Sequence, residues 1–407
     1  MMKRSDMLSY YHSKLLITGT GKPPIQEAAI LVRDGIIEDV GTITNLKPPA
    51  DAIVSDLGSY TILPGLIDMH VHLFGTPEPS GFFNTQYENE EGLLLRAYAN
   101  ARLALANGLT TVRDVGARGT IIISLAKAVS SGLLMGPRIL SSGAPITTTG
   151  GHCHFLGLEA EGVEGVQKAV RKMHKAGADF IKVMVTGGGI TPGSNSRASQ
   201  YSQAELEAIT QDAHRLAKRV AGHVHGTEGI QRAVDAGFDT LEHGSWLAKK
   251  GDGRDYDRGV VQKILDKGIF VCRTIAGFER FPIEQANSDH KSWPDYQVFR
   301  NMVKDGVMLV AGTDSGIDLT PISGFAYTLE TMAGLGGMSN AAVISSATSL
   351  AARAIGIEDQ VGTLEKGKRA DFIAVTGNPL DDLRVLRHID IVIRDGTMVA
   401  KDGHIIR

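Results

Sequence analysis

The chain has 407 residues, of which 43% are hydrophobic, and a formal net charge of −3. This length is enough for one large domain and a smaller one, and the balanced charge gives no reason to expect a nucleic-acid or anionic-membrane partner. Its two cysteines, Cys153 and Cys272, do not suggest a disulfide framework. No apolar run could span a bilayer, and the N-terminal segment lacks the features of a signal peptide. We therefore expect a cytoplasmic protein, although a sequence with its signal peptide trimmed would look the same.

The two ends of the chain have the pattern of short alternating strands. Residues 1–60 contain LLITG, AAILVRDGIIEDVG and AIVSDLGS, and residues 361–407 contain VGTLEKGKRADFIAV, IDIVIRDGTMVA and HIIR. Asp-Gly pairs between apolar runs are typical of β-hairpins. Three or four strands alone would leave one face unburied, so we expect the two ends to combine into one small β-sandwich domain.

Residues 61–360 repeat a strand followed by a helix. Helical spacing occurs at about 91–107, 161–177, 202–219 and 257–267. The β-rich runs lie at about 61–72, 109–115, 138–143, 179–186, 219–225, 239–244, 269–275 and 307–314. This alternation predicts an α/β fold in which eight parallel strands close into a (β/α)8 TIM barrel. An open doubly wound sheet would also alternate, but it would gather its ligands near one switch point.

Metal-capable side chains end five of these runs. They are His70, His72, Lys182, His223, His243 and Asp314. His70 and His72 are two residues apart on a strand, so they share one face and could grip one ion, and Zn²⁺ accepts imidazole nitrogens readily. A carboxylate at Asp314 could hold an ion and take a proton from its bound water, whose pKa falls to about 7. In isolation, Asp314 would equally fit a helix N-cap.

Lys182 lies between apolar residues in FIKVMV. A buried ammonium is costly unless it is paired or neutral, and a neutral amine can react with carbon dioxide to form a carbamate. The two oxygens of that anion could bridge two cations. A lysine that snorkels from an edge strand is the alternative. Glu242 precedes His243 along the strand, so we expect it to point to the opposite face and to be structural.

These motifs resemble the amidohydrolase superfamily over nearly the whole chain. The motifs that carry the resemblance are PGLIDMHVHL, GLTTVRDVG, the lysine on the fourth strand, the histidines on the fifth and sixth strands, GTDSG on the eighth strand and EKGKRADFIAV. The resemblance implies that His70, His72 and Asp314 hold a buried ion and that His223 and His243 hold an exposed one. Carboxylated Lys182 and a hydroxide would bridge the two ions, most simply Zn²⁺. Asp314 would be the catalytic general base and then the proton donor.

A narrower resemblance concerns the loops. TTTGGHCHF, TGGGITPGSNSRASQYS and HVHGTEGIQRAVDAGFDTLEHG are similar to the branch that holds metal-dependent prolidases, Xaa-Arg or Xaa-Lys carboxypeptidases and an ochratoxin-hydrolysing amidase. That branch implies hydrolysis of an amide bond to a C-terminal amino acid, in a homo-oligomer. Lys182 argues against the more distant imidazolonepropionases, which use one metal. Cys153 stands where a second glycine is expected, and a small buried cysteine is the simpler interpretation than a metal ligand.

Several polar residues lie on the predicted strand-tip face and could bind the substrate. His152 or His225 could donate to the scissile carbonyl as it gains charge, and Arg197 or Arg273 could pair with a carboxylate. His154 and Tyr201 are further candidates, although Tyr201 could simply cap the helix that begins near Ser202. The Gly-rich loop over 186–201 could act as a lid. The remaining histidines lie off this face and receive no role: His12, His174, His214, His290, His388 and His404.

The sequence thus predicts a binuclear metal-dependent hydrolase that cleaves a peptide-like amide by attack of a metal-bridging hydroxide. The substrate would be a small molecule such as a dipeptide, an N-acyl amino acid or an ochratoxin-like amide. A cyclic amidase or lactonase of the same superfamily is the alternative. A non-catalytic metal-binding barrel is a more remote one, because the set includes a base as well as ligands.

Overall fold

The computed structural model describes residues 7–275 and 293–406, so His290 lies outside the described residues. Within these ranges no helix combines the length and the apolar character needed to cross a membrane. The α-helices are α1 Gly81–Asn84, α2 Glu90–Ala106, α3 Ile121–Ser130, α4 Gly162–Ala176, α5 Gln203–Arg215, α6 Thr227–Ala236, α7 Arg258–Asp266, α8 Pro294–Asp305, α9 Phe325–Gly334, α10 Asn340–Ser346 and α11 Ser349–Ile355. Short 3-10 helices cover Thr85–Tyr87, Ile322–Gly324 and Leu383–Arg387.

An eight-stranded sheet joins the two ends of the chain in the order β18-β17-β16-β15-β4-β1-β2-β3. All neighbours are antiparallel except β1 and β4. The strands are β1 Leu8–Leu16, β2 Ile25–Arg33, β3 Ile36–Thr42, β4 Ile53–Pro64, β15 Phe372–Thr376, β16 Ile391–Arg394, β17 Thr397–Lys401 and β18 His404–Ile405. The expected sandwich is therefore hydrogen-bonded as one continuous sheet of strands from both ends.

Asp-Gly pairs form the tight turns of this sheet, as the sequence predicts. Asp34 and Gly35 connect β2 to β3 with φ angles of 50° and 83°, and Asp395 and Gly396 connect β16 to β17 with 47° and 68°. Two consecutive residues with positive φ match the right-handed twist of the flanking strands, and aspartate and glycine tolerate that conformation best.

The middle of the chain forms two parallel sheets, and each of the eight predicted β-rich runs contains one of their strands. One sheet has the order β14-β13-β12-β11-β10-β8-β9, and the other has the order β5-β6-β7. Two very short strands, β8 and β9, were not predicted. The strands are β5 Leu66–Val71, β6 Leu109–Asp114, β7 Arg138–Ser141, β8 Ile146–Thr147, β9 Leu158–Glu159, β10 Ile181–Met184, β11 Val220–Gly226, β12 Thr240–Leu247, β13 Phe270–Thr274 and β14 Leu309–Gly312.

Hydrogen bonds link the two parallel sheets at both of their junctions. The Asp314 amide, just beyond β14, donates to the His70 carbonyl of β5 at 2.8 Å. On the other side, the Asp179 amide before β10 donates to the Ser141 carbonyl of β7 at 2.8 Å. The first of these hydrogen bonds places the carboxyl ends of β5 and β14 side by side. The polar residues at the ends of those two strands therefore lie close together.

Gly65 connects the antiparallel sheet to the first parallel strand. Its backbone passes so close to Thr110 that a Cβ atom would lie 2.2 Å from the Thr110 Oγ1. The predicted run at 61–72 is therefore divided between β4 and β5, and only glycine fits the crossing point. From there the buried strand β5 leads directly to His70 and His72.

Candidate active site

The first cluster of the site contains His70, His72 and Asp314. The two imidazole Nε2 atoms lie 3.2 and 3.3 Å from the same carboxylate oxygen of Asp314, and both rings are buried. One ligand atom from each of the three residues lies within 4.8 Å of the others. Two nitrogens and a carboxylate oxygen that converge in this way form a donor set suited to a divalent ion of the zinc type.

The second cluster contains His223 and His243, with His225 beside them. The His243 Nε2 lies 2.9 Å from the His223 Nδ1, and the His225 ring stacks on His243 with ring centroids 4.6 Å apart. Burial, followed by the charges of neighbouring histidines, holds the pKa of His223 well below its usual range. Neutral imidazoles with converging nitrogens are the form in which histidine binds a metal. His223, His225 and His243 each offer one ligand atom within 4.8 Å of the others, so the geometry also allows His225 to act as a ligand.

Lys182 lies on β10 with only 2% of its surface exposed. Burial is the largest influence on its amine and lowers its pKa, while the nearby Glu242 and Asp314 carboxylates raise it. The alternative of a lysine that snorkels to solvent is therefore wrong. Because burial lowers the pKa of this amine, it reaches the neutral form that carboxylation requires more easily than an exposed lysine does.

Two site residues adopt backbone conformations that are rare outside glycine. The φ angles of His243 and Asp314 are 68° and 63°. Non-glycine residues in this region carry conformational strain that the surrounding structure must hold in place, and such residues concentrate at functional sites. Here both residues are members of the two candidate metal clusters.

Glu242 corrects one expectation from the sequence. Its carboxylate is fully buried and faces the site instead of pointing away from it. One oxygen is hydrogen-bonded to the His70 Nδ1 at 2.8 Å, and the other accepts from Arg113 Nη2 at 2.6 Å. The left-handed backbone at His243 breaks the alternation of sides on which the expectation depended. Burial would raise the pKa of Glu242, but the Arg113 charge holds it well below its usual range.

Two further buried carboxylates were missed in the sequence. Asp68 accepts hydrogen bonds from the His70 amide at 3.0 Å and from the Thr313 hydroxyl at 2.7 Å, which joins β5 to the segment after β14. Asp114 accepts from the Leu73 amide at 2.8 Å. Burial raises the pKa of each to about 6. An aspartate within a predicted buried strand run, as in PGLIDMH and TTVRDVG, was the available signal.

Of the predicted substrate contacts, the structure brings His152 and His225 to the clusters. The His152 ring lies 4.6 Å from the His223 ring, is 2% exposed, and its Nδ1 has no hydrogen-bond partner among the described residues. Burial lowers its pKa to about 3, so the imidazole is neutral at pH 7. His225 shares its Nδ1 with the Ser245 hydroxyl at 2.8 Å, and burial lowers its pKa to about 4.

Three of the other predicted contacts, Tyr201, Arg197 and Arg273, bond to backbone carbonyls away from the clusters or behind them, and His154 is exposed. Tyr201 is a core residue, 1% exposed, whose hydroxyl donates to the Ala160 carbonyl at 3.0 Å, so the expectation of a substrate contact is wrong for this ring. Arg197 donates to the Ala248 carbonyl at 2.7 Å, and Arg273 donates to the His243 carbonyl. His154 is exposed, with its ring 6.0 Å from Phe155.

Cys153 is buried beside the site but belongs to none of the candidate metal clusters in the described part of the chain. Its amide donates to the Thr191 hydroxyl at 2.8 Å, and burial raises the pKa of its thiol to about 12. The protonated thiol acts as a small packing group, as the simpler interpretation of the sequence has it.

Comparison with known proteins decides the family. The model of the amidohydrolase family matches residues 61–399. The chain belongs to the amidohydrolase family. The ochratoxinase of Aspergillus niger is 31% identical over 441 residues, which cover 97% of this chain and 86% of the relative. This amidohydrolase is therefore a hydrolase of carbon–nitrogen bonds from a metal-dependent family.

Solved structures agree with that assignment. A Xaa-Pro dipeptidase crystallised with methionine in its active site is 31% identical, with a TM-score of 0.83 over 96% of this chain and 99% of that chain. The crystal structure of the A. niger ochratoxinase gives a TM-score of 0.83 at 28% identity, over 97% of this chain and 95% of that one. This amidohydrolase therefore falls in the branch of prolidases and ochratoxinase, as its loop motifs predict.

Proposed function

We propose that this amidohydrolase cleaves an amide bond to a C-terminal amino acid, in a dipeptide, an N-acyl amino acid or an ochratoxin-like amide. The observation that carries the proposal is that the two imidazole clusters meet beside buried Lys182. The His70 and His243 ring centroids lie 5.0 Å apart, and the His243 Nδ1 lies 3.9 Å from an Asp314 carboxylate oxygen. The relatives support the choice of bond, because they include a dipeptidase and an ochratoxinase.

Two divalent ions fit these donors. His70, His72 and Asp314 would hold one ion, His223 and His243 would hold the second, and carboxylated Lys182 would bridge them. Zn²⁺ is the ion best matched to imidazole nitrogens. When bound, such ions make water nucleophilic at neutral pH and polarise the scissile carbonyl. The lowered pKa of the buried Lys182 amine supports its carboxylation, since only the free amine reacts with carbon dioxide.

The protein groups then supply proton transfer and orientation. Asp314, the catalytic residue, takes a proton from the attacking water and delivers it to the leaving nitrogen. Neutral His152 has a buried Nδ1 that finds no hydrogen-bond partner within 7–275 and 293–406, which suits it to donate to the carbonyl oxygen as negative charge develops there. His225 lies beside the second cluster as a further substrate contact. Glu242 fixes His70 in one tautomer, with Nε2 turned toward Asp314.

We also propose the domain organisation that the sequence predicts. Residues 61–360 would form the closed (β/α)8 barrel, and residues 1–60 with 361–407 would form the composite β domain. The hydrogen bonds at both junctions of the parallel sheets support closure of the barrel. A homo-oligomer and a cytoplasmic location remain predictions from the sequence.

A substrate screen tests the proposed function. Enzyme loaded with Zn²⁺ would be assayed against dipeptides and N-acyl amino acids, with cyclic amides and lactones in parallel. We expect release of a free amino acid from members of the first group. Turnover of only the cyclic compounds would replace the proposal with a cyclic amidase or lactonase, and no turnover with metal bound would indicate a non-catalytic barrel.

A further inference from the structure

Aromatic side chains extend from the first histidine cluster. The Phe82 ring packs edge-on to the His72 imidazole at 5.0 Å, and the Phe74 ring lies 5.2 Å from Phe82. Phe155 lies 6.1 Å from Phe82 and 5.3 Å from Phe83. We name these four phenylalanines the aromatic wall. The aromatic wall contacts His72 of the site through Phe82, and its surface is entirely apolar.

The inner and outer rings of the aromatic wall differ in exposure. Phe74 and Phe82 are buried, whereas Phe83 and Phe155 are only partly buried. Phe83 lies in the segment after β5, and Phe155 lies in the segment after β8 that also carries His152. Both segments follow the carboxyl ends of parallel strands, where the metal-capable residues lie. The two outer rings thus present apolar surface on the same side as the site.

Hydrogen bonds fix the segment that carries Phe82 and Phe83 of the aromatic wall. The Asp318 carboxylate accepts from the Ser80 amide at 2.6 Å and from the Phe82 amide at 3.2 Å. Asp318 lies in the segment after Asp314, so the first and last strand-tip segments are tied together. A surface fixed in this way loses little conformational entropy when a ligand binds, which favours a recognition surface over a flexible loop.

We propose that Phe83 and Phe155 bind an aromatic or large apolar substituent of the substrate. This inference rests on the proposed amidase function and narrows its substrate class. Phenyl rings gain from edge-to-face contacts with other rings and from burial of their surface. A small or charged side chain would leave this apolar surface in contact with water.

The test compares matched substrates on Phe83→Ala and Phe155→Ala. Each substrate with a phenylalanine residue is paired with the same compound carrying alanine, once on the acyl side and once on the amino-acid side. The natural enzyme should favour the aromatic member by on the order of tenfold in kcat/KM, and each variant should lose most of that preference. The two series show which side of the amide meets the aromatic wall.

Leu133→Ala is the control, because Leu133 is 77% exposed and precedes β7 at the opposite end of the strands. Its preference should equal that of the natural enzyme. Hydrolysis without aromatic preference, or an equal loss on both members of a pair, would overturn the inference while leaving the amidase function intact.

A binding measurement separates this inference from the proposed function. Calorimetry with 3-phenylpropanoate and propanoate, which have no amide bond, reports recognition without turnover. We expect the metal-loaded protein to bind 3-phenylpropanoate about tenfold more tightly, and Phe83→Ala to remove the difference. Selective binding without amide hydrolysis would refute only the proposed function, whereas equal binding of both acids would refute the aromatic wall as a subsite.

Discussion

At the scale of single residues, the site contains carboxylates and imidazoles that stabilise one another by hydrogen bonds and opposite charge. The His70 imidazole lies between the carboxylates of Glu242 and Asp314, at 2.8 and 3.2 Å. Burial would raise the pKa of Asp314, but the charge of His70 and the hydrogen bonds of His70 and His72 hold it well below its usual range. The carboxylate is therefore ionised at neutral pH, the form in which it can bind a cation.

Asp314→Asn should remove the base with little change in shape. The amide oxygen can still act as a ligand, so we expect the metal content to be retained. Turnover should fall by on the order of 10²–10⁴, the usual contribution of a general acid–base group. Elemental analysis and kcat measured on the same preparation check both statements. Near-normal turnover would show that another group moves the proton.

Lys182→Ala should lower the metal content by about one ion per chain, because the bridging anion would be lost. His70, His72 and Asp314 would retain the other ion. Lys172→Ala is the matched control, since Lys172 lies exposed on α4. Metal content measured after identical loading checks the prediction. An unchanged value would mean that Lys182 does not bridge.

Glu242→Gln should weaken metal binding about 10–100-fold, because the carboxylate that orients His70 would lose its charge. Competition with a chelator measures the affinity. Glu164→Gln is the control, because Glu164 is exposed and pairs with Lys168 on α4. Thermal unfolding should be measured in parallel, since Arg113 loses its charged partner. Unchanged affinity in a less stable variant would give Glu242 a purely structural role.

At the scale of elements, the loop after β10 packs against His152 at Gly188. A Cβ on Gly188 would lie 2.4 Å from the His152 ring, whereas a Cβ on neighbouring Gly189 would meet nothing within 4 Å. The loop is also held by the Cys153 amide, which donates to the Thr191 hydroxyl at 2.8 Å. The position of His152 thus depends on the path of this Gly-rich segment.

Gly188→Ala should displace His152 or the loop and lower kcat/KM by about 10–100-fold, the loss that follows misplacement of a catalytic contact. The metal content should not change, because His152 is not among the proposed ligands. Gly189→Ala provides a matched control in the same loop and should behave as the natural enzyme. Equal kinetics in both variants would exclude a positioning role for the loop.

The sequence predicted those elements and residues that depend on local pattern. The positions of His70 and Asp314 at the ends of strands could be predicted, because each stands where an apolar run ends in polar residues. Glu242 could not be placed, because strict alternation fails at the left-handed backbone of His243. Tyr201 follows a polar loop, and only tertiary packing shows that its ring enters the core. Contacts between loops, such as Phe83 with Phe155, carry no signal in a single sequence.

At the scale of the whole molecule, the metal-capable residues come from strands spread over both parallel sheets. Bound ions would therefore connect segments far apart in the chain, and their binding free energy would add to the free energy of unfolding. At about 100 times Kd this contribution is ~2.7 kcal/mol for one ion.

Removal of metal by a chelator should lower Tm, and added Zn²⁺ should restore it. Differential scanning calorimetry of the apo and reloaded protein measures the change. In His70→Ala the increase on addition of Zn²⁺ should be smaller, because one ligand of the first cluster is missing. Identical Tm values for the apo and loaded natural protein would show that the clusters do not bind ions in the folded state.

Because one sheet joins both ends of the chain, some of its strands are synthesised long before the strands with which they pair. Strand β4 pairs with β1 on one side and with β15 on the other, and Thr376 faces Tyr60 in that second pairing. At about 5–20 residues per second, β15 follows β4 by about 15–60 s. During that interval β4 has an open edge that could pair with other chains. We therefore expect the nascent chain to require protection of this edge until its last strands emerge.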